Sequence, residues 1–111
     1  METESTSLHT FLVRLEHPDE AGWKTWVRPH AEWIFAQLAA GTIVASGPSV
    51  GTQVRQGWLL MRATSEVQLH EVLATDPFWE HGIVENLLVV EWDPIFGNLA
   101  EFSSRPDGVA G

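Results

Sequence analysis

This sequence predicts an α+β fold, a four-stranded antiparallel sheet carrying two helices on one face. Three observations predict it. Four short stretches rich in β-forming residues, at 8–16, 42–46, 58–63 and 87–92, are bounded by proline, glycine and other turn residues. Two stretches with helical spacing, from about Arg28 to Ala40 and from Ser65 to about Thr75, follow the first and the third of these. Only a turn-rich connection, 48–57, separates the second stretch from the third, which makes them antiparallel neighbours. The order is β-α-β-β-α-β, the split βαβ or ferredoxin-like arrangement.

The first strand, Leu8 to Glu16, puts Phe11, Val13 and Leu15 on one face and Leu12 and Arg14 on the other. Neither face is strongly polar, so both are expected to be covered. His17-Pro18-Asp19 ends the strand, and residues 19–27 read as an irregular lead-in. Proline suits the first turn of a helix, where its missing N–H would lack a partner anyway, so Pro29 marks the start of the first helix. From there His30, Ile34, Gln37, Leu38 and Gly41 fall on one face, and Gly41 is expected to close the helix in the left-handed conformation. Thr42 to Ser46 is the second strand, stopped by Gly47-Pro48, and Trp58 to Ala63 is the third. Ser65 and Gln68 form a capping box for a helix with Leu69, Val72 and Leu73 as its core stripe. Asp76-Pro77 breaks that helix, residues 77–86 read as a loop, and Leu87 to Trp92 is the fourth strand.

With 111 residues the chain is one domain, bounded by a polar tail at 1–7 and a C-terminal tail at 98–111 whose last part, SSRPDGVAG, is expected to be disordered. There is no cysteine, which excludes disulfides and thiolate metal sites. The fifteen acidic and six scattered basic residues give a net charge of −9, which argues against nucleic acid as a partner. No apolar run approaches the roughly 20 residues of a membrane span, and the polar start suggests no signal segment, so a cytoplasmic location is expected. The strands are apolar on both faces: Trp58 and Leu60 oppose Leu59 and Met61, and Leu87 and Val89 oppose Leu88 and Val90. A bare apolar sheet face is a liability in a monomer, so a homodimer with two sheets face to face, closing into a barrel, is expected.

His30 opens the mostly apolar stripe of the first helix. A polar group there needs a hydrogen-bond partner or loses roughly 1–3 kcal/mol. Asp76 is the partner the sequence offers. A carboxylate on one imidazole nitrogen fixes the tautomer and raises basicity, leaving the other nitrogen to move a proton. In the alternative, Asp76 caps the turn at Pro77 and His30 is a satisfied core histidine. Ser46, at a strand end, is a candidate to hydrogen-bond a ligand or to begin the turn. Trp33, Trp58, Phe78 and Trp79 are candidate cavity walls or core fillers, with Phe78 foremost because it adjoins Asp76. His81 is a candidate second polar group near the same loop. Arg14 and Arg62 are candidates to bind an anionic ligand or to pair with Glu91, and the ion pair is the expectation. The histidines show no metal-ligand spacing, and no nucleophile elbow, phosphate-cradling loop or dinucleotide fingerprint is present.

Several stretches together resemble the YCII-related family of dimeric α+β barrel proteins: TFLVRLE, Arg28-Pro29-His30, the run Gly41 to Pro48, Gly57, and Asp76-Pro77-Phe78 with Gly82 and the last strand. The resemblance covers roughly residues 8–97. It implies a ferredoxin-like protomer, a homodimer and a cavity holding a His30–Asp76 pair, and it favours a functional dyad. A dehydrochlorinating member of that family acts on a chlorinated hydroxyquinol-type compound. In family members a residue often separates Arg-Pro from the histidine. Here His30 follows Pro29 directly but keeps its place eleven residues before Gly41, so Arg28 carries less weight.

The expected function is a cofactor-independent lyase or isomerase, with no metal, that dehydrochlorinates, dehydrates or tautomerises a small compound through His30 and Asp76. The rivals are a non-catalytic dimeric module that binds a small ligand or supports a partner, and a barrel enzyme of muconolactone-isomerase or cofactor-free monooxygenase type.

Overall fold

The computed structural model describes residues 7–104. Strands β1 (His9–Glu16), β2 (Ile43–Pro48), β3 (Gln56–Ala63) and β4 (Glu85–Glu91) form one sheet in the order β2-β3-β1-β4, every neighbouring pair antiparallel. Helix α1 (Glu20–Ala40) joins β1 to β2, and α2 (Glu66–Leu73) followed by the single turn α3 (Pro77–Glu80) joins β3 to β4. A 3-10 turn at Ala100–Phe102 follows. This is the ferredoxin-like α+β fold that the order of elements predicts.

The register sorts the two faces. Phe11 faces Met61, Val13 faces Leu59 and Val89, and these meet Trp33 of α1 and Leu69 and Leu73 of α2 in the core. Each large side chain buried there contributes about 1.5–3 kcal/mol. The opposite face carries Leu12, Trp58, Leu60, Leu88, Val90 and Trp92 and is only partly covered. Trp58, Leu88, Val90 and Trp92 keep 38–45% of their surface exposed. Near one edge of that face the C-terminal segment folds back, with Thr10 Oγ1 donating to the Phe102 carbonyl and the Arg62 guanidinium over the Phe102 ring.

Four expectations need correction. Helix α1 begins at Glu20, where the sequence suggested an irregular lead-in: Asp19 is its N-cap and accepts from the Gly22 N–H at 2.9 Å. Pro29 lies in the interior of α1. An interior proline costs about 3 kcal/mol relative to alanine, a penalty that the packing of a 21-residue helix absorbs. Residues 77–80 form a helical turn rather than loop, capped by Asp76 with Pro77 at its start. Strand β2 runs on through Gly47-Pro48, because it is an edge strand and Pro48 needs no outward N–H. Finally, Arg14 and Arg62 do not pair with Glu91. Glu91 lies opposite Phe11 on the helix-bearing face, where His9 takes it at 2.7 Å, while the two arginines are on the other face. Arg14 donates instead to the Asn86 carbonyl.

Gly41 closes α1 at φ 82°, as expected, and Ser65 caps α2 by accepting from the Gln68 N–H. The Gln68 side chain reaches back one residue further than a capping box requires, to Thr64. The remaining strand and helix bounds differ from expectation by one or two residues. Of the expected tails, residues 1–6 and 105–111 lie outside the described residues. No helix among the described residues is long and apolar enough to cross a membrane.

Candidate functional site

The site forms where the end of β1, the β2–β3 pair, α1 and α3 converge. Asp76 is fully buried as the N-cap of α3. Its Oδ1 accepts two hydrogen bonds, from the Phe78 N–H at 3.0 Å and from His30 Nδ1 at 2.8 Å. An ionised carboxylate can only accept, which makes His30 Nδ1 the donor. The His30 Nε2 is thereby left to act on a ligand. The capping role and the imidazole contact, alternatives in the sequence, are met by one atom. The second oxygen, Oδ2, is buried with no hydrogen-bond partner among the described residues.

Two rings hold His30 in place. Phe78, buried, stacks on it with centroids 4.1 Å apart and planes at 15°. Trp33 backs it from the core at 6.0 Å, and its Nε1 donates to Thr75 Oγ1 at 2.8 Å, tying α1 to the residue before Asp76. Trp33 therefore positions the dyad and does not line the cavity. His81 is also away from it, exposed and stacked on Trp26 at 3.5 Å. Arg28 is exposed too.

Beside the dyad is a cavity of about 180 Å³ whose walls include His30, Phe78, Ser46, Gly57 and Val27. Of the residues singled out in the sequence, His30, Ser46 and Phe78 share this space, with Asp76 behind His30. Ser46 lies within β2 rather than at its end, opposite Leu59 on the core-facing side. Trp58 instead lines a shallow hollow of about 310 Å³ on the open sheet face, and Trp79 packs against the core.

The cavity has polar groups that the sequence did not single out. His17 is 3% exposed, and its Nδ1 donates to the Ile83 carbonyl at 3.0 Å. Its ring meets Phe78 at 4.7 Å. Burial pulls the His17 pKa below the ordinary histidine value; the Ile83 carbonyl and the Asp76 carboxylate oppose this, while His30 and Arg55 reinforce it. Arg55 also lines the cavity, its guanidinium 3.7 Å over the Trp23 ring and paired with Glu20 at 2.9 Å. That pairing holds the Glu20 carboxyl below its usual range. The period-two alternation of β1 carries a signal for His17, which continues the buried series Phe11, Val13, Leu15. Nothing comparable marks Arg55, which sits in an irregular connection. Among the described residues no cluster of three or more His, Asp or Glu side chains could hold a metal ion.

The YCII-related domain model matches residues 12–93 of the chain. Among solved structures, the chain is similar to 5-chloro-2-hydroxyhydroquinone dehydrochlorinase (TftG) from Burkholderia phenoliruptrix AC1100 in complex with 2,5-dihydroxybenzoquinone. The TM-score is 0.66 at 22% identity, covering 76% of this chain and 93% of that one. A dimeric ferredoxin-like protein from an uncultured marine organism matches with TM-score 0.46 at 11% identity, over 81% of this chain and 89% of that one. No curated protein matches the sequence.

Proposed function

We propose, since this chain belongs to the YCII-related domain family, that it is a small-molecule enzyme working by acid–base chemistry at His30 and Asp76, without a cofactor. The observation that carries the reading is the 2.8 Å hydrogen bond between a buried carboxylate and an imidazole that opens onto a cavity. With Nδ1 held by the Asp76 carboxylate, His30 Nε2 takes a proton from the substrate and can return it to a neighbouring atom or to a leaving group. Removal of a proton with loss of a group from the adjacent carbon is an elimination. Return of the proton elsewhere on the substrate is a tautomerisation. The dehydrochlorinase similarity makes elimination of HCl from a chlorinated hydroxybenzene the first reaction to try. The walls from Phe78 and Val27 suit a flat, partly apolar molecule.

The working unit in this reading is a homodimer, in which a second copy covers the apolar sheet face bearing Trp58, Leu88 and Val90.

The test is a turnover screen of chlorinated and unchlorinated hydroxybenzenes with the native protein and with Asp76→Asn. A working dyad gives a loss of turnover on the order of a hundredfold or more in the variant. Undiminished turnover in the variant would sink the mechanism. Saturable ligand binding with no product, indifferent to His30→Gln, would replace it with a binding module.

A further inference from the structure

We propose that His17 is a second ligand-contacting residue of this cavity, its Nε2 accepting a hydrogen bond from an O–H or N–H of the ligand and so selecting ligands that carry a donor there. The inference rests on the cavity being a ligand site, but not on His30 and Asp76 performing turnover.

Two features of the ring point to this role. The Ile83 carbonyl can only accept, so Nδ1 carries the hydrogen, and burial keeps the ring neutral. Nε2 therefore presents a lone pair, and it has no partner among the described residues. The atom is not sealed from solvent and His17 lines the cavity, so a donor on a ligand there can reach it.

The space in front of this atom is left open by a particular residue. Gly57 lies opposite Leu15 on the core-facing side of β3 and lines the same cavity. A Cβ built on Gly57 would stand 3.5 Å from His17 Nε2, and that is its one close contact. Any larger side chain would cover the lone pair.

Phe78 separates the two imidazoles, touching His17 at 4.7 Å and His30 at 4.1 Å between ring centroids, so a single small molecule over the cavity can reach both. Their chemistry differs. His30 has a carboxylate behind it and can hold the extra proton. His17 has a carbonyl behind it and stays an acceptor. A ligand with one group that exchanges a proton and another that donates a hydrogen bond fits that pair.

The test uses phenol as a donor probe and anisole as its methylated counterpart, read by the 15N resonance of His17 Nε2. The proposal expects phenol to shift that resonance saturably and anisole to leave it in place. It also expects Gly57→Ala, whose methyl meets Nε2 at van der Waals distance, to weaken phenol binding roughly five- to tenfold while anisole binding holds. The Gly57 backbone is not in the left-handed region, so alanine fits it. His17→Phe, which keeps a ring against Phe78, is expected to lose the same preference for phenol. An unmoved His17 resonance at the solubility limit of phenol overturns the proposal, as does an equal response to anisole or native phenol affinity in Gly57→Ala. Each of those results leaves the turnover screen free to succeed or fail separately.

Discussion

Asp76 is where capping and chemistry share an atom, and two substitutions separate them. Asp76→Ala removes the acceptor of both hydrogen bonds on Oδ1. Loss of the N-cap costs about 1 kcal/mol, and stranding the half-buried His30 Nδ1–H costs roughly 1–3 kcal/mol more. Against this stands the relief of deleting a buried carboxylate whose Oδ2 has no partner, which brings the net to about 2 kcal/mol. Asp76→Asn keeps an oxygen where Oδ1 was, and asparagine caps as well as aspartate, so its cost stays within about 1 kcal/mol. The two variants should therefore melt roughly 5–10 °C apart, alanine lower. Thermal denaturation followed by circular dichroism, at one protein concentration, measures the difference. Coincident melting curves for alanine and asparagine would falsify the double hydrogen bond on Oδ1, and the stability assigned to it with it.

Other perturbations reach the rest of the molecule. The His17 pKa is lowered in the folded protein, so the unfolded chain binds its proton more readily. Stability from this group is complete above the ordinary histidine value of 6.5 and declines as the pH falls below it. Urea midpoints between pH 5 and 8 should show that slope, and His17→Phe should flatten it. Gly41→Ala places a Cβ at φ 82° with nothing within 4 Å, so its cost is conformational alone, roughly 1 kcal/mol, read as a drop of about 4 °C in melting temperature. Val90→Glu puts a charge on the open sheet face, on the edge strand β4 opposite Leu12. Sedimentation should show the native chain as a dimer and this variant as a monomer, and a native monomer at micromolar concentration would defeat the dimer reading.

The strands were legible because alternation of apolar residues is a period-two signal and each strand also has its turn residues. The second helix was legible from Ser65 and its stripe. Helix α1 was half legible: its glycine stop was clear, but Pro29 looked like a first-turn residue and hid the real cap at Asp19, ten positions earlier. Sequence rules place proline where its missing N–H costs least, whereas tertiary packing holds it in the middle of a long amphipathic helix. The turn α3 has four residues, too few for any helical period to register. In the site, the contact between His30 and Asp76 was legible because a buried imidazole demands a partner and the chain offers few. Trp33 and His81 were misassigned to the cavity, since spacing gives a face but not which neighbour that face meets. The grouping of His17, Gly57 and Arg55 around the same space depends on β1 pairing with β3 in one register, which is a long-range fact.

The identity of the cap itself bears on function. Serine or asparagine would satisfy the Phe78 N–H as well as aspartate does, and neither would bury a charge. A carboxylate at zero exposure is expensive, and one with an oxygen lacking a partner is more so. Its negative charge gives nothing to a one-turn helix that a neutral cap would not. It does hold His30 by a hydrogen bond of 2.8 Å, and His30 borders the cavity that His17 borders from the other side of Phe78. A charge that capping does not need, placed behind an imidazole that faces open space, is what proton transfer does need.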